Sequence, residues 1–212
     1  MKLNEYIDHT LLKPFATDSD IEKLCEEAKE YNFKSVCVNP SDVMYSARLL
    51  KGTNVKVCTV IGFPLGKNTT EVKVYETAVA IAHGATEIDM VINVAKLKQG
   101  MVNYVRSEIE KVVKEAKGNV VKVIIESGLL TDSEIALATK LACEAGANFV
   151  KTSTGITGGG ATENAVKIMK ENLLGGAQIK ASGGIKTKED ALRFIELGAT
   201  RIGTSSGVEI IK

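Results

Sequence analysis

The chain has 212 residues, 44% hydrophobic and 5% aromatic, which suits one α/β domain of larger than modal size. Its 27 basic and 26 acidic side chains leave a formal charge of +1, so there is no broad basic face for nucleic acid and no acidic tail. An anionic substrate must then be recognised by a local pocket.

The amino-terminal MKLNEYIDHTLLKPF carries charges within its first ten residues and lacks an apolar core of signal-peptide length, and nothing downstream approaches a membrane span. The four cysteines, Cys25, Cys37, Cys58 and Cys143, form no CxxC pair and read as reduced thiols. His9 and His83 are too scattered for a metal cluster, so no metal is expected. A soluble, cytoplasmic protein is the expectation.

Taken in chain order, YIDHT near the amino terminus is a plausible first strand. β-branched runs follow: SVCVN at 35–39, VKVCTVIGF at 55–63, EIDMVIN at 87–93, VVKVIIES at 120–127, NFVKTST at 148–154, QIKAS at 178–182 and RIGTS at 201–205. Helical patterns lie between them. TTEVKVYETAVAIAHG opens on hydroxyl caps and closes on Gly84; TDSEIALATKLACEAG runs from Thr131 to Gly146; TKEDALRFIELG runs from Thr187 to Gly198. Strands alternating with helices, without a linker or long insertion, predict a single-domain (β/α)8 TIM barrel over residues 1–212. An open doubly wound sheet is the alternative, weakened because no strand is followed by a GxGxxG turn.

Side-chain alternation along each strand then sorts faces. With Ile88, Met90 and Ile92 toward the helices, Asp89 points into the barrel. By the same rule Lys122 and Glu126 point inward from VVKVIIES, Lys151 and Ser153 from NFVKTST, and Lys180 from QIKAS. Such charges can form an inert internal salt-bridge layer. Two lysines at the carboxyl ends of adjacent strands, with an inward aspartate, favour chemistry instead, because active sites of such barrels lie at that end.

A lysine attacks a carbonyl only as the free amine, and its reference pKa of about 10.4 puts that form roughly 4 kcal/mol out of reach at neutral pH. A second ammonium about 4 Å away repels by roughly 4 kcal/mol at an effective dielectric of 20, and by about 1 kcal/mol in bulk water. Paired lysines in a partly dry pocket therefore supply one nucleophile and one permanent cation. An inward carboxylate adds a proton relay. The SGG turn (Ser182, Gly183, Gly184) after Lys180, and Ser205 and Ser206 opening a short terminal helix, fall in the loops after strands 7 and 8, a recurrent phosphate site.

Together IDHTLLKP at 7–14, VCVNP at 36–40, EIDMVIN, KVIIES, FVKTSTG, IKASGGI and IGTSSG resemble the deoxyribose-phosphate aldolases, a class I aldolase family, over nearly the whole chain. The resemblance implies reversible cleavage of 2-deoxy-D-ribose 5-phosphate to D-glyceraldehyde 3-phosphate and acetaldehyde, with no cofactor. Lys151 would form the imine, Lys180 would tune it and Asp89 would move protons with a water. Gly155, Gly183, Gly184, Ser205 and Ser206 would contact phosphate, and Asp8, at the end of the first strand, would hold the second lysine or a substrate hydroxyl. Cys37 and His9 are expected to be structural, and a homo-oligomer, dimer or tetramer, is expected from barrel enzymes generally.

Two departures stand out. Several members carry a basic residue where this chain has Ile156, and some end in a longer tail with a tyrosine, whereas here no tyrosine follows Tyr104. Proton transfer is then expected to rest on Asp89, Lys180 and water. Two other readings stay open: a Schiff-base aldolase for a keto sugar or keto acid, and a non-catalytic phosphosugar-binding barrel.

Overall fold

A computed structural model describes residues 2–212. Eight parallel strands close in chain order: β1 (Ile7–Leu11), β2 (Ser35–Val38), β3 (Lys56–Ile61), β4 (Glu87–Val91), β5 (Val120–Ile124), β6 (Phe149–Lys151), β7 (Gln178–Ser182) and β8 (Ala199–Thr204). β1 pairs with both β2 and β8, which closes the sheet and rules out the open alternative. The (β/α)8 expectation holds.

Around the barrel lie α1 (Asp18–Glu30), α2 (Val43–Leu49), α3 (Thr70–Ala82), α4 (Val94–Lys98), α5 (Val102–Glu115), α6 (Asp132–Glu144), α7 (Glu163–Asn172), α8 (Lys188–Glu196) and α9 (Gly207–Ile211). Threonine hydroxyls cap the starts of α3, α6, α7 and α8. Thr131 and Thr187 each form a capping box, with Glu134 and Asp190 returning a carboxylate to the cap N–H. The outward strand residues Ile88, Met90, Ile92, Val121, Val123, Ile125, Val150, Ile179 and Ala181 all join the core beneath these helices. Cys37, Cys58 and Val60 form a separate small apolar group with Leu12 and Phe63.

A buried ion pair lies outside the barrel. Lys73 of α3 is fully buried, and its Nζ donates to the carbonyls of Gly66 (2.9 Å) and Val91 (2.8 Å) while resting 2.9 Å from Glu108 Oε1 of α5. Glu108 Oε2 accepts from the Asn93 N–H at 3.1 Å. This staple joins the turn after β3 to the end of β4, where a Cβ on Gly66 would lie 2.0 Å from the Ile92 carbonyl oxygen. Burial pulls the Lys73 pKa down and pushes that of Glu108 up, as desolvation of each charge requires. Lys73→Met leaves Glu108 charged and unpaired, so about 3–5 kcal/mol of stability is lost. Adding Glu108→Leu should recover only part of it, because the Gly66 and Val91 carbonyls and the Asn93 N–H stay unpaired, as denaturant unfolding of the two variants would show.

Candidate active site

Strand register assembles the inward side chains. β4 and β5 set Asp89 beside Lys122, and β6 and β7 set Lys151 beside Lys180. Asp89 is the hub. Its Oδ1 accepts from Lys122 Nζ at 2.8 Å, and its Oδ2 accepts from Lys151 Nζ at 2.8 Å and Lys180 Nζ at 2.7 Å. A further layer holds these cations: Lys122 Nζ lies 2.6 Å from Glu87 Oε2, and Lys180 Nζ lies 2.6 Å from Asp8 Oδ2.

Arg201 of β8 ties the layer together. Its Nε donates to Asp8 Oδ1 at 2.8 Å and its Nη2 to Glu87 Oε2 at 2.7 Å. An irregularity between β7 and β8 makes this possible. Ile179 pairs with Ala199 but Lys180 with Arg201, so Thr200 is an extra residue, exposed, and both cations turn inward.

The electrostatics follow from these contacts. Burial works to raise the pKa of Asp89, yet Lys122, Lys151 and Lys180 together hold it well below the carboxylate range. Burial likewise opposes the charge on Asp8, and Arg201, Lys180 and Lys122 override it. Glu87 is lowered against the same opposition, chiefly by Lys122. Lys180 and Lys122 are raised despite burial, Lys180 by Asp8 and Asp89, and Lys122 by Asp89 first. Three carboxylates (Asp8, Glu87, Asp89) thus match three fixed cations (Lys122, Lys180, Arg201). Lys151 is the fourth basic group of the cluster, paired with Asp89.

Above this cluster opens a cavity of about 310 Å³ whose walls include Lys151, Thr154, Gly155, Ser182, Gly183, Gly184, Lys186 and Ser205. Of the four clustered cations, Lys151 is the one that lines it. The sequence-derived set Lys151, Gly155, Gly183, Gly184 and Ser205 therefore meets at one cavity, with Lys180 and Asp89 directly beneath Lys151. Gly155 and Gly183 touch: a Cβ on Gly183 (φ 89°) would lie 3.2 Å from Gly155 Cα and 2.9 Å from Gly160 Cα.

Two expectations, for Asp8 and Glu126, are corrected. Asp8 is not at the strand end but second of the five residues of β1; fully buried against Lys180 and Arg201, it holds the second lysine and presents no surface to a substrate. Ser206 follows the cavity-lining Ser205, with its N–H donated to Thr204 Oγ1 at 2.9 Å. Glu126 was expected among the inward strand charges, but β5 ends at Ile124 and the carboxylate binds Thr154 and Thr157 instead of the lysines. His9 contacts Glu27 at 2.7 Å and Cys37 packs with Cys58, in line with structural parts for both.

Glu87 and Arg201 were missed as members of the charge cluster. Alternation from Asp89 points to Glu87, but Arg201 is aligned only by the extra residue at Thr200, for which the sequence has no signal. Lys13 and Lys186 also reach the cavity, which Ile156 lines as well. Among the described residues, the one grouping with metal-ligand spacing is Cys37, Cys58 and Asp89. The oxygens of Asp89 are already engaged by Lys122, Lys151 and Lys180, so these residues make a poor cation site.

A parallel barrel with one lysine at its open end, backed by a second lysine and a shared carboxylate, is an enzyme built for carbonyl chemistry. Residues 3–212 match the model of the DeoC/LacD family aldolases, and the chain belongs to that family. It is 58% identical over 212 residues, spanning both chains entirely, to a deoxyribose-phosphate aldolase of Clostridium botulinum. It is 56% identical to one from Staphylococcus saprophyticus, over all of this chain and 96% of the relative. Among solved structures, the deoxyribose phosphate aldolase of Aeropyrum pernix, described as tetrameric, superposes with a TM-score of 0.91 at 39% identity, covering 99% of this chain and 89% of that one.

Proposed function

We propose that the chain reversibly cleaves 2-deoxy-D-ribose 5-phosphate to D-glyceraldehyde 3-phosphate and acetaldehyde through an imine on Lys151. The observation that carries this reading is Lys151 and Lys180 sharing one oxygen of Asp89, at 2.8 and 2.7 Å, on the floor of a glycine-walled cavity.

The Lys151 amine attacks the aldehyde carbon and water leaves, giving a protonated imine. Removal of the C3 hydroxyl proton breaks the C2–C3 bond; its electron pair flows into the iminium to give an enamine, and D-glyceraldehyde 3-phosphate departs. Protonation of C2 and hydrolysis return acetaldehyde and the amine. Lys180 remains an ammonium and can lend and recover a proton. Asp89, its pKa well lowered, is a weak base suited to passing a proton through Lys180 or water rather than holding it. Backbone N–H groups of the turns at Gly155, Gly183 and Gly184, with Ser205 and the cations Lys13 and Lys186, receive the phosphate.

Three similarities support the wider reading. The curated relatives bear the name of this activity, the Aeropyrum relative is described as tetrameric, and no helix among the described residues is long and apolar enough to cross a membrane. We read the protein as a homo-oligomer. Its cysteines are unpaired, which fits a reducing, cytoplasmic setting.

Borohydride reduction in the presence of acetaldehyde, followed by peptide mapping, tests the proposal. Near-stoichiometric label at Lys151 is expected, with label lost and cleavage down by roughly 10⁴ or more in Lys151→Ala. Preferential trapping of pyruvate or dihydroxyacetone would point to a keto-donor aldolase. Label spread over surface lysines and unchanged in the variant would leave a non-catalytic barrel.

A further inference from the structure

Among the described residues, three non-glycines have positive φ: Asn32, Lys117 and Glu126. Asn32 and Lys117 are exposed at turns, but Glu126 is buried, with φ 55° and ψ 59°. A buried glutamate in the left-handed region costs on the order of 1 kcal/mol of backbone strain and persists only where its surroundings require it. The reason lies in where the carboxylate goes. Glu126 Oε1 accepts the Thr154 N–H at 3.2 Å, while Oε2 accepts the hydroxyls of Thr154 and of Thr157, the latter at 2.6 Å.

All three donors belong to the loop after β6, whose backbone passes through Gly155. The other side of that loop abuts the turn after β7. The Ala161 N–H donates to the Gly183 carbonyl at 3.0 Å, and a Cβ on Gly160 would lie 2.3 Å from that same oxygen. Beneath, a Cβ on Gly128 would lie 1.5 Å from the Gly158 carbonyl oxygen, so the segment after Glu126 is the bed on which the loop rests. The loop is thereby clamped between Glu126 and Gly183. Glu126 itself does not line the cavity.

We propose that Glu126 is a positioning residue that sets the spacing of the Gly155 and Gly183 turns and so determines the preference for a phosphorylated substrate. This rests on the phosphate reading given above. A neutral or shorter side chain cannot serve the same role. Glutamine offers one accepting oxygen in place of two, and its amide N–H groups face hydroxyls already turned to donate. Relaxing the loop moves the Gly155 N–H relative to the Gly183 turn, which degrades anion binding while Lys151, fixed in β6, keeps its place on Asp89.

The experiment compares kcat/KM for 2-deoxyribose 5-phosphate and for unphosphorylated 2-deoxyribose in the parent and in Glu126→Gln, with acetaldehyde trapping at Lys151 as a third measurement. Glu126→Gln should lower kcat/KM for the phosphorylated sugar about tenfold, mainly through KM, and leave the unphosphorylated sugar and the trapping rate within about twofold. Thr157→Val, which removes one donor, should shift the ratio in the same direction by a smaller factor, and decides the question if Glu126→Gln fails to fold. Equal losses on both sugars, or an unchanged ratio, would overturn the role. A parent enzyme that shows no preference for the phosphorylated sugar would instead overturn the phosphate reading, and this role with it, before any substitution is considered.

Discussion

At neutral pH, Lys180→Leu forms the acetaldehyde imine about a hundredfold more slowly than the parent, and recovers as pH rises; Glu87→Gln moves the same profile toward lower pH. The two signs come from one charge count. With Lys151 as the free amine, Asp8, Glu87 and Asp89 balance Lys122, Lys180 and Arg201. Removing Lys180 leaves the surrounding buried groups at −1, a setting that disfavours attack by an uncharged nucleophile until the pH is raised. Removing the Glu87 charge leaves them at +1, which favours it.

Magnitude ranks the two effects. A bare ammonium about 4 Å away would repel by roughly 4 kcal/mol at an effective dielectric of 20, but Asp89 and Asp8 lie against Lys180 and screen part of it, hence about a hundredfold rather than a thousandfold. Glu87 is two residues deeper along β4, about 7 Å further from the cavity, so its effect is smaller. Glu87→Gln also weakens the Lys122 and Arg201 contacts, so its profile is measured well below its unfolding temperature. Stopped-flow imine formation across pH reads both. Profiles that stay still, or that move together, would sink the charge-balance account even with the imine on Lys151 intact.

What could be read from the sequence follows a physical boundary. Strand alternation placed Asp89, Lys122, Lys151 and Lys180 on the inner face because each sits in a strand whose outer residues are unambiguously apolar. Helix starts were legible at Thr131 and Thr187 because a cap is a local interaction spanning three residues. Interactions set by closure of the barrel were not. Asp8 reaches Arg201 across 193 positions, and Arg201 faces inward only through the extra residue in β8. Glu126 escaped for a different reason: extrapolating alternation past Ile124 assumes extended backbone, and its left-handed conformation breaks the pattern two residues beyond the strand. Loops after β6, β7 and β8 were identifiable as glycine and serine turns, but which N–H groups remain free depends on contacts such as Ser206 to Thr204 after β8, invisible before folding.

Asp89→Asn should keep the imine and lose the proton traffic. The substitution leaves Lys151 in place on β6, with an amide oxygen still able to accept from it, so acetaldehyde trapping at Lys151 persists. Exchange of the acetaldehyde methyl protons with solvent, which needs the relay between the enamine carbon and Lys180 or water, should fall by roughly 10²–10⁴. Stability falls as well. Asp89 is the one carboxylate shared by Lys122, Lys151 and Lys180, and removing a partner from buried ion pairs costs about 3–5 kcal/mol. The pH dependence carries its own signature. The folded pKa of Asp89 lies well below its unfolded value of about 4, so its contribution is present above that value and drains away as pH falls toward the folded one. The asparagine variant has no such contribution to lose, and its unfolding free energy should decline less steeply below about pH 5 than that of the parent. If trapping and methyl exchange were lost in equal proportion, Asp89 would be a structural hub alone, and proton transfer would fall to Lys180 and water.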